Sequence, residues 1–263
     1  MSNNNDTFGK TMLVVLATCL VCALVVSSAA VSLRPEQINQ RALDKQRNIL
    51  SAAGIVAGKG QVPELYSKFI EAKVIDLATG EFVSDIDGNK FDQRLALKKP
   101  QYAKKLLAEH DVAGIRVISR LANVYVARDE SGAVASYIIP VHGMGLWSTM
   151  YAFLSLAPDG NTVKSLVYYD QGETPGLGAE VTNPAWIAQW DGKQLFDAAG
   201  QPAIDVVKGK ADPASSHFVH QIDGLAGATL TSNGVENTFK FWLGEQGFGP
   251  FLAKLRQGAA NHG

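Results

Sequence analysis

Cysteine is nearly absent from this chain: two occur among 263 residues, Cys19 and Cys22. Everything beyond residue 22 therefore lacks a disulfide framework and a thiolate metal cage. An excess of one charge sign is also lacking, since 24 Lys and Arg stand against 25 Asp and Glu, a formal net charge of -1. With no basic excess or stripe, the chain has no footprint for a polyanion, and nucleic acid is not an expected partner. Apart from His142, the histidines (His110, His217, His220 and His262) show no metal-ligand spacing with a nearby carboxylate or Cys, so no metal site is expected. His217 and His220 read as surface or structural residues in a strand-like stretch. There is no internal repeat and no low-complexity tract. Hydrophobic residues at 46% and charged residues at 19% exclude a disordered chain and describe a globular one.

What the chain does have is one long apolar run. Thr11 to Leu33 carries no charge and no proline. At about 1.5 Å per residue, a helix of that length spans the roughly 30 Å hydrocarbon core of a bilayer. Lys10 precedes the run and Arg34-Pro35 closes it. Ser28-Ala29-Ala30 would serve as a cleavage site for a signal peptide, but the uncharged run continues past it, which favours a retained anchor. Arg34, Arg41, Lys45 and Arg47 lie just beyond the run, and by the positive-inside rule they place the following domain in the cytoplasm. Cys19 and Cys22 form a C-x-x-C pair with no His or carboxylate nearby, and read as packing residues of the membrane helix.

The remainder alternates helical and strand patterns. A polar helix is predicted from Pro35 to Ala53, stopped by Gly54, and a second from Pro63 to Ala72. Lys73–Leu77 and Glu81–Val83 flank Ala78-Thr79-Gly80 as a hairpin. Pro100 opens another predicted helix, with Tyr102, Leu106 and Leu107 on one side. Strand patterns follow at Ile115–Val117, Val124–Ala127, Ala133–Pro140, Tyr151–Leu156 and Val163–Tyr169, the last two joined by the turn Pro158-Asp159-Gly160-Asn161. Helical pattern returns at Pro184–Trp190, at Asn233–Leu243 and near the C-terminus. Hairpin-linked strands with helices before and after predict an α+β domain on an antiparallel sheet.

Three glycine-rich segments interrupt these patterns. His142-Gly143-Met144-Gly145-Leu146-Trp147 ends a strand; its glycines allow close backbone approach to a ligand and Trp147 offers a π face, although a bulge with a core Trp gives the same string. Gln171-Gly172-Glu173-Thr174-Pro175-Gly176-Leu177-Gly178 follows a strand, with Leu177 isolated among polar and turn-forming residues, as in a functional loop or a plain surface connector. Asp223-Gly224-Leu225-Ala226-Gly227-Ala228-Thr229 leads into an amphipathic helix whose Val235, Phe239, Trp242 and Leu243 share one side, with Asn233 and Glu236 as a predicted cap. Small residues entering a helix N-terminus present free N–H groups to a phosphate. No Gly-Lys-Ser/Thr follows, so this is not a Walker loop, and the spacing does not match a dinucleotide fingerprint.

Asp-Gly-Leu-Ala-Gly-Ala-Thr resembles the signal at which FMN is joined through its phosphate to a threonine hydroxyl. With Gly-x-Gly-Leu-Trp and Glu-Thr-Pro-Gly-Leu-Gly, the chain is similar to the C subunits of the sodium-translocating NADH:quinone oxidoreductases, from the anchor through Asp44-Lys45-Gln46-Arg47-Asn48-Ile49-Leu50 to the C-terminal helix. The G subunits of the Rnf-type electron-transport complexes are the nearest competitors; Gln-Arg-Asn-Ile-Leu and Gly-Ala-Thr-Leu-Thr-Ser-Asn-Gly-Val favour the sodium-translocating family. Ala226 stands where the signal usually carries Ser or Thr.

The resemblance implies a tail at 1–10, a transmembrane helix at 11–33, a connecting region at 34–99 and an FMN-binding domain at 100–263. It implies covalent FMN on Thr229, with Asp223, Gly227 and Ala228 in the attachment signal. Gly143, Gly145, Leu146, Trp147, Glu173, Thr174, Leu177 and Gly178 then become cofactor-binding candidates, Trp147 and Leu177 as apolar walls and Glu173 and Thr174 as hydrogen-bonding partners of the ring or ribityl edge. No base sits in the motif to activate Thr229, so a separate flavin transferase is implied. The chain would relay electrons between other subunits of a respiratory complex, with no catalytic residue of its own and no nicotinamide site. The resemblance places it in the bacterial inner membrane with its domain in the periplasm, against the vote of the four basic residues. Two other classes remain at this point: an exported module binding a small anion, and a hydrolase built on Ser148 and His142. Neither has a comparable signature, and Ser148 lacks a nucleophile elbow.

Overall fold

The computed structural model describes residues 8–58 and 60–258; the first seven residues of the expected tail and His262 lie outside them. The chain separates after Lys45 into two units. Helix α1 (Phe8–Ala52) supplies the first and enters the second. Its apolar stretch is exposed throughout and is, among the described residues, the one helix long and apolar enough to cross a membrane. Pro35 lies inside α1, so the apolar run and the polar helix predicted from Pro35 form one continuous helix. A proline in a helix removes one N–H donor and crowds one turn, and the helical residues on both sides carry the chain across.

The second unit begins with the last turns of α1, where Ile49, Leu50 and Ala52 are buried and the Ala52 carbonyl accepts a 2.7 Å bond from Ser165 Oγ. Helix α2 (Val62–Phe69) starts with Pro63 in its first turn and passes directly into strand β1 (Ile70–Asp76), which turns back into β2 (Glu81–Phe82). At that turn Asp76 Oδ1 accepts from the Ala78 amide at 2.8 Å, and Gly80 takes φ +69° against the backbone of Phe251. Helix α3 (Gln93–Ala96) is capped by Asp92, whose carboxylate accepts from Arg94 N and Leu95 N. The helix predicted after Pro100 is absent: Ala103–Lys105 forms β3, paired antiparallel with β4 (Val117–Ser119). Leu106 is buried and Leu107 exposed there, so pairing with β4 prevails over an ambiguous local pattern.

Strands β5 (Leu121–Arg128), β6 (Val134–Met144), β7 (Thr149–Leu156) and β8 (Val163–Asp170) complete one antiparallel sheet in the order β2-β1-β5-β6-β7-β8. The hairpin β1–β2, from the region expected to be a connector, is thus hydrogen-bonded into the sheet of the main domain. The β7–β8 turn is set by Asp159, which accepts from the amides of Asn161 and Thr162, and by Gly160 at φ +67°.

Period-two alternation gives the sheet two buried faces. Val124, Val126, Ile139, Val141, Ala152 and Leu154 face the core containing Val235, Phe239, Trp242 and Leu243. An aromatic layer links Tyr125, Phe153 and Tyr169, with ring centroids 5.9 and 4.6 Å apart, and His142 stacks on Tyr151 at 5.2 Å. After a short helix α4 (Pro184–Ile187), strands β9 (Asp205–Val207) and β10 (Gln221–Asp223) pair in parallel. His217 precedes and His220 ends a 3-10 turn (Phe218–His220) rather than lying in a strand. Helices α5 (Thr229–Leu243) and α6 (Gly249–Arg256) close the fold.

Candidate functional site

Helix α5 begins four residues before the predicted cap at Asn233. Gly227, at φ +71°, turns the chain out of β10, and Ser232 closes the turn by accepting from Leu225 N at 2.9 Å and donating to the Ala228 carbonyl at 3.2 Å. Glu236 instead pairs with Lys240 one turn on. Ala228 is the N-cap residue and offers no side-chain acceptor. The amides of Thr229, Leu230 and Thr231 consequently find no acceptor among the described residues. The Thr229 side chain lies exposed in that first turn.

Two residues on, the geometry reverses. Thr231 is 1% exposed, and its hydroxyl donates to Glu173 Oε2 at 2.6 Å. Glu173 is itself buried, at 5% exposure, although the sequence reading made it a partner of the ring or ribityl edge. Its carboxylate also accepts from Leu146 N at 3.1 Å, Trp147 N at 2.9 Å and Ser148 N at 3.1 Å. One side chain therefore ties the second glycine-rich segment to the first and to the helix that follows the third. Burial pushes its carboxyl upward in pKa, but the Thr231 hydroxyl and the three amides outweigh that and hold it below the usual carboxylate range.

This hub explains two of the glycines. A Cβ on Gly145 would lie 2.6 Å from Glu173 Oε1, and one on Gly178 would lie 2.7 Å from Glu173 Oε2 and 2.5 Å from Thr231 Oγ1. Gly143 is fixed by close packing against Thr238 of α5, and Gly227 faces Leu177, whose Cδ2 would be 3.0 Å from an added Cβ. Glycine thus allows these segments to pack against each other. The rim they form carries Leu146 and Leu177 half in solvent and Trp147 67% exposed. Thr174 is exposed, and its carbonyl accepts from the Leu177 and Ala179 amides. Asp223 anchors the motif from behind: its Oδ1 accepts from Ala211 N at 2.9 Å, and its carbonyl accepts from Trp186 Nε1 at 2.8 Å. Ala226 is exposed, so its methyl leaves no buried group unpaired.

The hydrolase arrangement does not form. Ser148 Oγ accepts from Gly172 N at 2.7 Å, while the His142 ring is buried against Tyr151 and Trp242. Burial, and secondarily the Arg94 guanidinium, lowers the His142 pKa to about 4. The sequence reading missed this layer and the part of Ser232; a hydroxyl three residues into a helix carries no distinctive pattern.

The family model described as FMN-binding domain matches residues 145–244, the span that contains all three loops from Gly145 onward. The C subunit of the Na(+)-translocating NADH-quinone reductase of Vibrio parahaemolyticus is 54% identical over 265 residues, covering 99% of this chain and 100% of that one. Its counterpart in Yersinia pestis is 51% identical over 263 residues, covering 99% and 97%. The crystal structure of Shewanella oneidensis NqrC superposes with a TM-score of 0.76 at 36% identity, covering 83% of this chain and 99% of that one. That of the C subunit from Parabacteroides distasonis gives 0.65 at 29% identity, covering 84% and 96%. Similarity of this extent, running through the apolar helix as well as the loops, shows that the chain belongs to the NqrC family, the C subunits of the Na(+)-translocating NADH-quinone reductases.

Proposed function

We propose that this chain is the membrane-anchored FMN carrier of a sodium-pumping NADH:quinone oxidoreductase, with the flavin held covalently through its phosphate on Thr229. One observation carries the reading: Thr229 is an exposed hydroxyl on a helix N-terminus whose first three amides find no acceptor among the described residues. A phosphodiester there keeps one negative charge, which those amides and the helix dipole stabilise by about 0.3–1 kcal/mol. Bound FMN supplies the electron-carrying chemistry. The chain's own residues do the positioning: Trp147 and Leu177 present apolar surface, Glu173 holds the loops that bear them, and Asp223 anchors the segment that leads to Thr229. Thr229 has no neighbouring base of its own in the motif, so a separate flavin transferase makes the bond. The other subunits of the complex deliver and accept the electrons.

Thr229→Ala tests the attachment. The intact chain, expressed with a flavin transferase, should show the mass of one FMN and flavin fluorescence on a denaturing gel, and the variant neither. Covalent flavin surviving in Thr229→Ala would refute the assignment.

The same reading puts the domain after Arg34 in the periplasm. Large domains are exported despite local positive charge, and partner helices can hold an orientation that Arg34, Arg41, Lys45 and Arg47 oppose. An alkaline phosphatase fusion at the C-terminus should be active. An inactive one beside a fluorescent GFP fusion reverses the topology.

A further inference from the structure

We infer that Glu173 is a positioning residue rather than a ligand of the cofactor: it is an internal anion that fills the backbone cradle at 146–148 and locks that loop to α5. Three successive backbone amides turned toward one point make an anion-receptive concavity, the kind of backbone site that binds phosphates and carboxylates. Here the amides of Leu146, Trp147 and Ser148 converge on the Glu173 carboxylate, which also accepts from the Thr231 hydroxyl. The loop is held from a second side by Gly145 N to Ser148 O at 2.8 Å, and by Gly172 N to Ser148 Oγ at 2.7 Å. Glu173 is steadied by its own amide, which donates to Gln171 Oε1 at 2.7 Å.

Three consequences follow for the site. The cradle at 146–148 is saturated from within, whereas the start of α5 is not, so an incoming phosphate is directed to the helix end that carries Thr229. Trp147, exposed at its ring, is fixed at its backbone by a charge-assisted bond, so the ring is presented from a rigid base. Thr231, the only other hydroxyl within two residues of Thr229 on its C-terminal side, is kept in the same network and out of reach of modification.

The inference rests on the FMN reading for its functional half, and the test separates the two. Hydrogen exchange is first measured on the flavin-free Thr229→Ala chain with and without Glu173→Gln. A glutamine retains one acceptor oxygen but replaces the other with an NH2 that cannot serve these amides. Exchange at 146–148 should rise tenfold or more while α6 keeps its protection; unchanged exchange there overturns the inference whatever the flavin does. The flavinylated chain is then compared as Thr231→Val and Thr231→Ser. Both should keep covalent FMN and fold. Thr231→Val, which removes one donor to Glu173, should alter the visible circular dichroism and midpoint potential of the flavin, and Thr231→Ser should restore both. Parent-like spectra and potential in Thr231→Val, with only its unfolding midpoint changed, would reduce Glu173 to a structural role and overturn the inference. A parent chain that carries no covalent FMN would instead refute the attachment reading, and the exchange experiment would still judge the cradle.

Discussion

The rim of the candidate site and the layer beneath it use the same residue types to opposite ends. Thr229 on the rim is exposed; Thr231 below it is buried and bonded to a carboxylate. Trp147 is largely in solvent, while Trp242 is 1% exposed with its Nε1 donating to the His142 carbonyl at 2.6 Å. The amides at the start of α5 find no acceptor among the described residues, while those of Leu146, Trp147 and Ser148 share one carboxylate. The Glu173 network beneath the rim pairs its carboxylate with four donors, while the start of α5 stays open. An unpaired buried polar group costs about 1–3 kcal/mol, a cost that the start of α5 escapes because solvent or a ligand reaches it.

The largest effect that can break this comparison is chemical. Thr229→Ala should abolish covalent flavin while leaving the domain folded, because an exposed first-turn residue contributes little packing. Thr231→Val should retain it, and lose stability through the missing hydrogen bond to Glu173. If flavin were lost equally from both, the distinction between an open rim and a saturated floor would carry no chemistry.

The next effect belongs to a buried ring outside the Glu173 network. His142 is held neutral by burial, with its pKa lowered to about 4 from an ordinary 6.5. The unfolded chain therefore takes up the proton first, and the stability contributed by the neutral ring is complete above about pH 6.5 and lost as pH falls toward 4. The loss over that window amounts to about 3 kcal/mol. Urea unfolding between pH 7 and pH 4.5 should show this decline in the parent, and His142→Phe, which keeps a ring against Tyr151, should flatten it. Glu173 titrates in a lower window. Its depressed pKa adds stability above the ordinary glutamate range, near pH 4.3, and that contribution is lost as pH falls further. Identical slopes in parent and His142→Phe would mean that the ring is not desolvated as its packing requires.

How much of this was legible in the sequence divides along the same line. The sheet's hairpins could be read because their turns are chemically explicit, as at Asp159 and Gly160, and the buried side of α5 because Val235, Phe239, Trp242 and Leu243 repeat at helical spacing. The continuous α1 and the strand at Ala103–Lys105 were not legible, since a proline and a single loose apolar pattern each permit two structures. The three loops stood out as unusual, and the resemblance marked Thr229. The role of Glu173 was hidden: its four donors come from Leu146, Trp147, Ser148 and Thr231, which lie 25 to 58 positions away. A carboxylate in a polar loop carries no sign of where such donors lie. The Gly145 and Gly178 positions were legible as needing no side chain, but the neighbour that excludes one was not.

The smallest effect on the fold sharpens the comparison most. Trp147 leaves two thirds of its surface in solvent, and its one polar tie to the floor runs through its backbone amide. Trp147→Ala should therefore change unfolding free energy by no more than about 0.5 kcal/mol, as for an exposed side chain away from caps and cores. On the FMN reading, the ring faces the flavin, and its negative π face disfavours the more negative, reduced form. Removing it should raise the midpoint potential while covalent attachment persists. A spectroelectrochemical titration of the intact chain beside a urea melt separates the two quantities. A raised potential at unchanged stability identifies Trp147 as part of the working surface. An unchanged potential with a stability loss of several kcal/mol would mean that Trp147 belongs to the floor, and the division between rim and floor would have to be redrawn at that residue.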